Sequence, residues 1–229
     1  MLDSDASVVL ELVIAQLKPQ HAGGRSRDLC WDFEIPPRRP LRFRTSNEEG
    51  ANLRPDVYCR LIGPGESGWP FQRQELVIRI WSLENRLNFR PDMDSQAVSR
   101  WLRQQDTPSR VIYRLHFDRA NKNQRGTVFH LQLGGNPVQD ETEKCWLSGM
   151  PDLPRIPFHP LDLILACELI IANFFHDTFL ELSKDPTWRG VVKRAESRTL
   201  KRYYEICHSY LTNESANKQV TLLRSMWNV

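Results

Sequence analysis

Two histidines, an aspartate and an arginine occur at alternating positions in two neighbouring segments of the chain. Arg114, His116 and Asp118 alternate with apolar residues in the first segment, and His130 and Gln132 do so in the second. Because successive side chains of a β-strand point to opposite faces, each segment would gather its polar residues on one face. The connection between the segments is polar and turn-like, which predicts a β-hairpin. A turn centred near residue 123 would set His116 opposite His130 and Arg114 opposite Gln132, within side-chain reach.

Three interpretations of this hairpin stay open. The polar side chains could simply face water, as on one side of many antiparallel sheets. His116, His130 and Asp118 could instead bind a metal ion, since imidazole and carboxylate are common metal ligands. Alternatively, the two histidines could perform metal-free acid–base chemistry while Arg114 holds a phosphate, as an RNA-cleaving site requires.

Residues 1–157 are predicted to be β-rich with a short N-terminal helix, and residues 158–229 to be helical and packed on them as one structural unit. Alternating patterns predict strands at 28–35, 41–45, 57–62, 74–81, 110–118 and 127–133. Helical spacing predicts helices at 8–18, 94–105, 161–182, 188–211 and 217–226. The fold class is therefore α+β, with a mostly antiparallel sheet in the N-terminal two-thirds and a helical C-terminal layer.

Composition excludes several classes of protein. The 229 residues are 40% hydrophobic, but none of the apolar runs is long enough for a transmembrane helix, and the first residues lack the basic start of a secretory signal. We therefore expect a soluble, cytoplasmic protein with no membrane partner. The five cysteines form no CxxC pair, and no P-loop, dinucleotide or HExxH motif is present. The sequence predicts no cofactor, and a divalent metal ion only if the hairpin is catalytic.

Arginine dominates the basic residues, with 24 arginines among 31 cations although the net charge is only +3. Arg with aromatic residues can hold phosphates and stack bases, or can anchor a protein interface. Two segments are predicted to bind a partner protein or a nucleic acid in this way. Their residues are Arg79, Trp81, Arg86 and Arg90 in the first, and Arg189, Lys193, Arg194, Arg198, Lys201 and Arg202 in the second.

A weaker pattern involves two carboxylates on neighbouring predicted strands. Asp56 and Glu75 invite comparison with metal-dependent nucleases of the PD-(D/E)xK type. Val77 stands where that pattern has a lysine, so the usual stabiliser of developing charge is missing.

Three short motifs follow one another between residues 110 and 176. They are Tyr-Arg-Leu-His-Phe-Asp at 113–118, His-Leu-Gln-Leu-Gly-Gly at 130–135 and Arg-Ile-Pro-Phe-His-Pro at 155–160. Together they resemble an uncharacterised bacterial family of mobile-element and defence neighbourhoods, which has no established activity. Gln132 stands where the resemblance leads us to expect a second histidine.

These observations predict an accessory binding subunit of a bacterial defence or mobile-element system. It would contact a partner protein, a nucleic acid or both through its Arg-rich surfaces. The alternative is a nuclease-like toxin or effector that uses the His/Asp/Arg site of the hairpin.

Overall fold

The computed structural model describes residues 2–17, 31–46, 53–63, 69–82, 110–120, 127–134 and 155–212. Arg86, Arg90 and the helices predicted at 94–105 and 217–226 lie outside these ranges.

A seven-stranded antiparallel sheet forms the N-terminal part of the described chain, which confirms the α+β prediction. The strands pair in the order β1-β3-β4-β5-β6-β7, and β2 follows β1 along the same edge of β3. Pro36 and Pro37 separate β1 from β2, because proline donates no ladder hydrogen bond. The strands are β1 (Trp31–Ile35), β2 (Leu41–Arg42), β3 (Leu53–Gly63), β4 (Arg73–Ser82), β5 (Arg110–Arg119), β6 (Phe129–Leu133) and β7 (Ile156–Pro157).

The helices lie mainly at the C-terminal end. They are α1 (Ala6–Leu17), α2 (Leu163–Phe174), α3 (His176–Leu182), α4 (Pro186–Glu196) and α5 (Arg202–Thr212), with a π-helical turn at Ser197–Lys201 between the last two. The predicted helix 188–211 is thus one helical run with a local π-turn, and Asp185 and Pro186 provide its N-cap and first residue.

Aromatic side chains join one face of the sheet to the helical layer. Phe43 stacks on Phe175 at 6.0 Å between ring centroids, and Phe129 meets Tyr203 edge-on at 5.9 Å. Trp69 packs against both Phe129 and Tyr203. The hydrophobic core therefore lies between this sheet face and the helices.

The apolar segment 161–182 is not the single buried helix that its composition predicts. Helix α2 begins only at Leu163, because the Asp162 side chain caps it by accepting a hydrogen bond from the Leu165 N–H at 3.0 Å. Phe175 then leaves the helical conformation at φ −143° and ψ 59°, and α3 follows without a buried residue. Phe175, the residue at this break, stacks on Phe43.

Helix α1 covers the backbone edge of β1. The Gln16 side-chain amide donates to the Glu34 carbonyl at 3.0 Å, and its oxygen accepts from the Glu34 N–H at 2.7 Å. An amide side chain thus replaces a neighbouring strand on this edge, which protects it from pairing with another chain.

Replacing either of two glycines by alanine should change the free energy of unfolding, but in opposite directions, because their backbone conformations differ. Gly134 ends β6 at φ +80° with open space where a Cβ would lie, whereas Gly190 is inside α4 with ordinary contact distance to the Arg194 side chain. We expect Gly134→Ala to lower the free energy of unfolding by about 1–2 kcal/mol through backbone strain alone. Gly190→Ala should raise it by roughly 0.5–1 kcal/mol. Urea denaturation measures both, and equal effects of the two changes would contradict the positive φ at Gly134.

Candidate acid–base site on the polar face of the sheet

The sheet face opposite the core carries three cross-strand rows of mostly polar side chains, which we call the polar face. The rows are Arg42, Asp56, Arg79 and Arg114; Tyr58, Val77, His116 and Gln132; and Arg60, Glu75, Asp118 and His130. The hypothesis that the hairpin residues simply face water is wrong for the centre of this face, where Arg114 and His130 are each only 2% exposed. Burying such polar side chains is unfavourable unless they are hydrogen-bonded, so the hydrogen bonds of this face are what allow these groups to be buried.

The predicted hairpin register is wrong by one pairing step. His116 lies opposite Gln132 rather than His130, and Asp118 lies opposite His130. The shift moves each partner by two residues, so every side chain stays on its predicted face. Alternation places Tyr113 on the same face as Leu115 and Phe117, yet Tyr113 is 59% exposed because β6 ends opposite Leu115 and does not reach it.

Asp56 and Arg79 form a buried ion pair at one end of the polar face. The guanidinium donates from Nε to Asp56 Oδ1 at 2.8 Å and from Nη2 to Oδ2 at 3.0 Å, and the Trp81 indole N–H donates to Oδ2 at 2.8 Å. Burial raises the pKa of Asp56, while the Arg79 and Trp81 contacts oppose that rise. Arg79 and Trp81 were predicted to bind a partner, but Arg79 is 4% exposed and both side chains are engaged inside the chain.

The carboxylates of the PD-(D/E)xK comparison do not meet. Asp56 lies opposite Arg79, whereas Glu75 lies opposite Arg60, four residues farther along β3 and therefore about 13 Å away. Glu75 instead pairs with Arg73 at 2.7 Å. The two carboxylates therefore cannot bind one metal ion in this arrangement.

A chain of contacts leads from the buried ion pair to His116. The Arg79 guanidinium lies 5.0 Å from the centre of the Tyr58 ring, a cation–π distance. The Arg114 guanidinium lies 5.9 Å from the same ring centre and donates from Nη2 to the Tyr58 hydroxyl. Arg114 Nη2 is also 3.5 Å from His116 Nε2. Tyr58 therefore fixes a buried cation beside the imidazole of His116.

His116 and Asp118 form an oriented, partly exposed pair on β5. His116 Nδ1 is 3.1 Å from Asp118 Oδ2, and the side chains are 12% and 22% exposed. Because a carboxylate can only accept, Nδ1 carries the proton and Nε2 of the neutral ring presents a lone pair. This arrangement suits a histidine that accepts a proton at Nε2 and is held in place by Asp118.

His130 is placed differently from His116. It is buried, and its Nδ1 donates to the Thr127 carbonyl at 3.1 Å. Burial lowers the pKa of His130 and the charge of Arg155 lowers it further, whereas the hydrogen bond to Thr127 and the charge of Asp118 raise it. His130 is therefore a neutral side chain beside Asp118, on the neighbouring strand.

Arg155 is a site residue that the sequence analysis did not select. It directly precedes β7, whose Pro157 lies opposite His130, so continuing the register by two residues places Arg155 opposite Gln132. Its charge acts on His130, and the residue is partly exposed. The Arg-Ile-Pro motif contained the signal, but a strand of two residues inside an apparently irregular stretch is too short for a pattern to reveal.

Within the described ranges, no group of three or more His, Cys, Asp or Glu side chains is placed to hold a metal ion. The metal-binding interpretation of His116, His130 and Asp118 therefore gains no support from the geometry.

The predicted basic residues of the C-terminal helices are all exposed, but one of them has an internal partner. Arg198 donates to Asp162 Oδ2, and the Thr199 hydroxyl lies 3.4 Å from the same atom. The other oxygen of this carboxylate, Oδ1, caps α2. Lys201 makes a surface ion pair with Glu205 at 3.7 Å. The remaining residues of the set, Arg189, Lys193, Arg194 and Arg202, lie on the surface of α4 and α5.

Comparison of the chain with known protein families, curated proteins and solved structures finds no match. In the part of the chain that the structure describes, no helix is both long and apolar enough to cross a membrane.

Two aspartates that pair with arginine across β-strands test the importance of burial. Asp56→Asn leaves the buried Arg79 charge without its counter-ion, so we expect a loss of about 3–5 kcal/mol in the free energy of unfolding. The matched change Asp32→Asn removes an ion pair with Arg60 at 3.6 Å whose side chains are 41% and 42% exposed, and it should cost less than about 1 kcal/mol. Chemical denaturation of both variants checks this, and similar losses would contradict the buried pair.

Acidification should destabilise the protein through the buried His130 and the half-buried His159. Burial lowers the pKa values of His130 and His159 in the folded state, whereas in the unfolded chain both protonate near about pH 6.5. Between the lowered pKa of the folded state and the unfolded value near about 6.5, the unfolded state binds more protons than the folded state. The free energy of unfolding therefore falls as the pH is lowered below about 6.5.

Each histidine contributes at most about 1.4 kcal/mol per pH unit to this slope. His130→Asn, whose amide can still donate to the Thr127 carbonyl, should flatten the slope measured by urea denaturation from about pH 7 to 5. An unchanged slope in this variant would show that His130 already protonates normally in the folded protein.

Proposed function

We propose that this protein is a nuclease-like effector that cleaves RNA by metal-independent acid–base chemistry at His116. The observation that carries the proposal is the partly exposed His116 ring, with Nδ1 on Asp118 and Nε2 beside Arg114. A bacterial defence or mobile-element setting follows from the resemblance of residues 110–176.

His116 would act as the general base. Its Nε2 lone pair accepts the proton of a ribose 2′-hydroxyl, and the 2′-oxygen then attacks the adjacent phosphorus. The bond from phosphorus to the 5′-oxygen breaks, and that oxygen takes a proton from solvent. Asp118 stabilises the imidazolium that forms, because its Oδ2 already accepts the Nδ1 proton at 3.1 Å.

Two arginines support the charge that develops on the phosphate. Arg114 is a buried cation whose position the Tyr58 hydroxyl fixes, and a preorganised charge in a water-poor site is strongly stabilising. Arg155 is partly exposed on the same face, which suits contact with the substrate phosphate. An RNA substrate fits because its own 2′-hydroxyl supplies the nucleophile, and no metal-activated water is needed.

The accessory binding subunit remains a second candidate, favoured by the exposed cations of α4 and α5. Arg189, Lys193, Arg194 and Arg202 lie on the surface, and Lys201 forms an ion pair with the exposed Glu205. Such a surface suits the phosphates of a nucleic acid or the acidic surface of a partner protein.

Single-stranded RNA incubated with excess EDTA tests the enzymatic proposal. His116→Ala should abolish cleavage, and Asp118→Asn should slow it about 10²- to 10⁴-fold by removing the group that orients the base. The exposed His176 provides the control, since His176→Ala should cleave at the original rate. Thermal unfolding of each variant separates lost chemistry from lost folding.

Cleavage that persists in His116→Ala, or that EDTA abolishes, would contradict the proposal. If RNA stays intact but binds with an affinity that falls steeply with salt, the second candidate gains support. Reversing the charges of Arg189, Lys193, Arg194 and Arg202 together should then remove the binding.

A further inference from the structure

A series of aromatic rings reaches the surface beside β7. Phe158 contacts His159 at 4.2 Å between ring centroids, with their planes 31° apart, and His159 lies 6.5 Å from Tyr204. Phe158 is anchored edge-on to Phe117 of β5, and Tyr204 is anchored edge-on to Tyr203 at 5.2 Å. Tyr203 itself is buried and packs on Phe129. The outer rings are therefore held rigidly by the core.

Tyr204 is 53% exposed although its neighbours in the series are largely covered. A rigid aromatic side chain that presents its ring to solvent can take up a ligand ring with little loss of conformational entropy. Burial lowers the pKa of His159, so the ring next to Tyr204 is uncharged at neutral pH. These two residues, which we call the aromatic platform, offer flat surfaces rather than a cationic site.

Lys201, at the end of the π-turn, and His208 on α5 flank the aromatic platform. Residues three and four positions apart on a helix are neighbours, so Lys201 and His208 lie on either side of Tyr204. Both are exposed, and the ion pair of Lys201 with Glu205 is a surface pair that contributes little. Stacking rings with adjacent cations are the combination that proteins use to bind single-stranded nucleic acids.

The aromatic platform and the His116 site lie at the two ends of one short segment. Arg155 stands at the start of β7 on the polar face, and His159 follows four residues later, at most about 14 Å away. Between them, Pro157 pairs with His130, and Phe158 turns its ring toward Phe117 on the core side of the sheet. A strand bound at the platform can therefore continue across β7 toward His116.

We propose that His159 and Tyr204 stack on bases of single-stranded nucleic acid, with Lys201 beside the sugar-phosphate backbone. This inference rests on the proposed function, because it describes how the substrate of that site binds. The nucleic acid would bind as an unpaired strand that runs across β7 to His116. The bases of a duplex are already stacked on one another, so double-stranded nucleic acid should not use the platform.

Fluorescence anisotropy with labelled single-stranded RNA and DNA decamers tests the platform, in a His116→Ala background that cannot cleave. Tyr204→Ala should weaken binding about 5- to 150-fold, the loss expected for one or two stacked bases. Tyr204→Phe keeps the ring and should bind within about two-fold of the parent. Tyr113→Ala, which removes a tyrosine of similar exposure from the hairpin, is the matched control and should leave affinity unchanged.

The inference is overturned if Tyr204→Ala binds as tightly as the parent, or if Tyr204→Phe loses as much affinity as Tyr204→Ala. It is also overturned if the parent binds no single strand, or if a duplex shows the same dependence on Tyr204. Cleavage by the native chain together with unchanged binding by Tyr204→Ala would refute the platform but not the nuclease. Tyr204-dependent binding without cleavage would refute the nuclease and leave the platform standing.

Discussion

The buried pairing of Asp56 with Arg79 is the interaction on which the polar face depends. Both groups lie on central strands and are almost fully covered, so neither charge could remain there without the other. The indole of Trp81 and the ring of Tyr58 lie against the Arg79 guanidinium, which also donates to the Pro37 carbonyl. Because the two guanidinium bonds need a fixed geometry, the pair also favours one register of β3 against β4.

From that pair, contacts pass along the polar face to the partly exposed His116 and Asp118. Tyr58 lies between two arginines, and the second of them, Arg114, lies beside His116. The reactive histidine of our proposal is thus supported from within by a chain of fixed groups, while Asp118 orients its other nitrogen. Such an arrangement keeps charges in place before any substrate arrives, which is the property that makes electrostatic catalysis effective.

The helical layer contributes in two ways. Asp162 caps α2 and also accepts from Arg198, so one carboxylate connects the start of the layer to the π-turn. The same layer presents Tyr204 and several cations to solvent beside β7. The edge strand β7 therefore separates two surfaces of different chemistry, acid–base groups on the polar face and aromatic rings on the other side.

Local patterns in the sequence located strands β1 to β6, the break at Pro36 and Pro37, and the shared face of Arg114, His116 and Asp118, because side-chain alternation depends only on neighbouring residues. The pairing of His116 with Gln132, the burial of Arg79 and Arg114, and the end of α2 at Phe174 were decided only by tertiary structure. Tertiary structure likewise decided the position of Arg155, because the pairing of the two-residue β7 with β6 places it on the polar face. Register and burial depend on residues distant in the chain, and no local pattern contains that information.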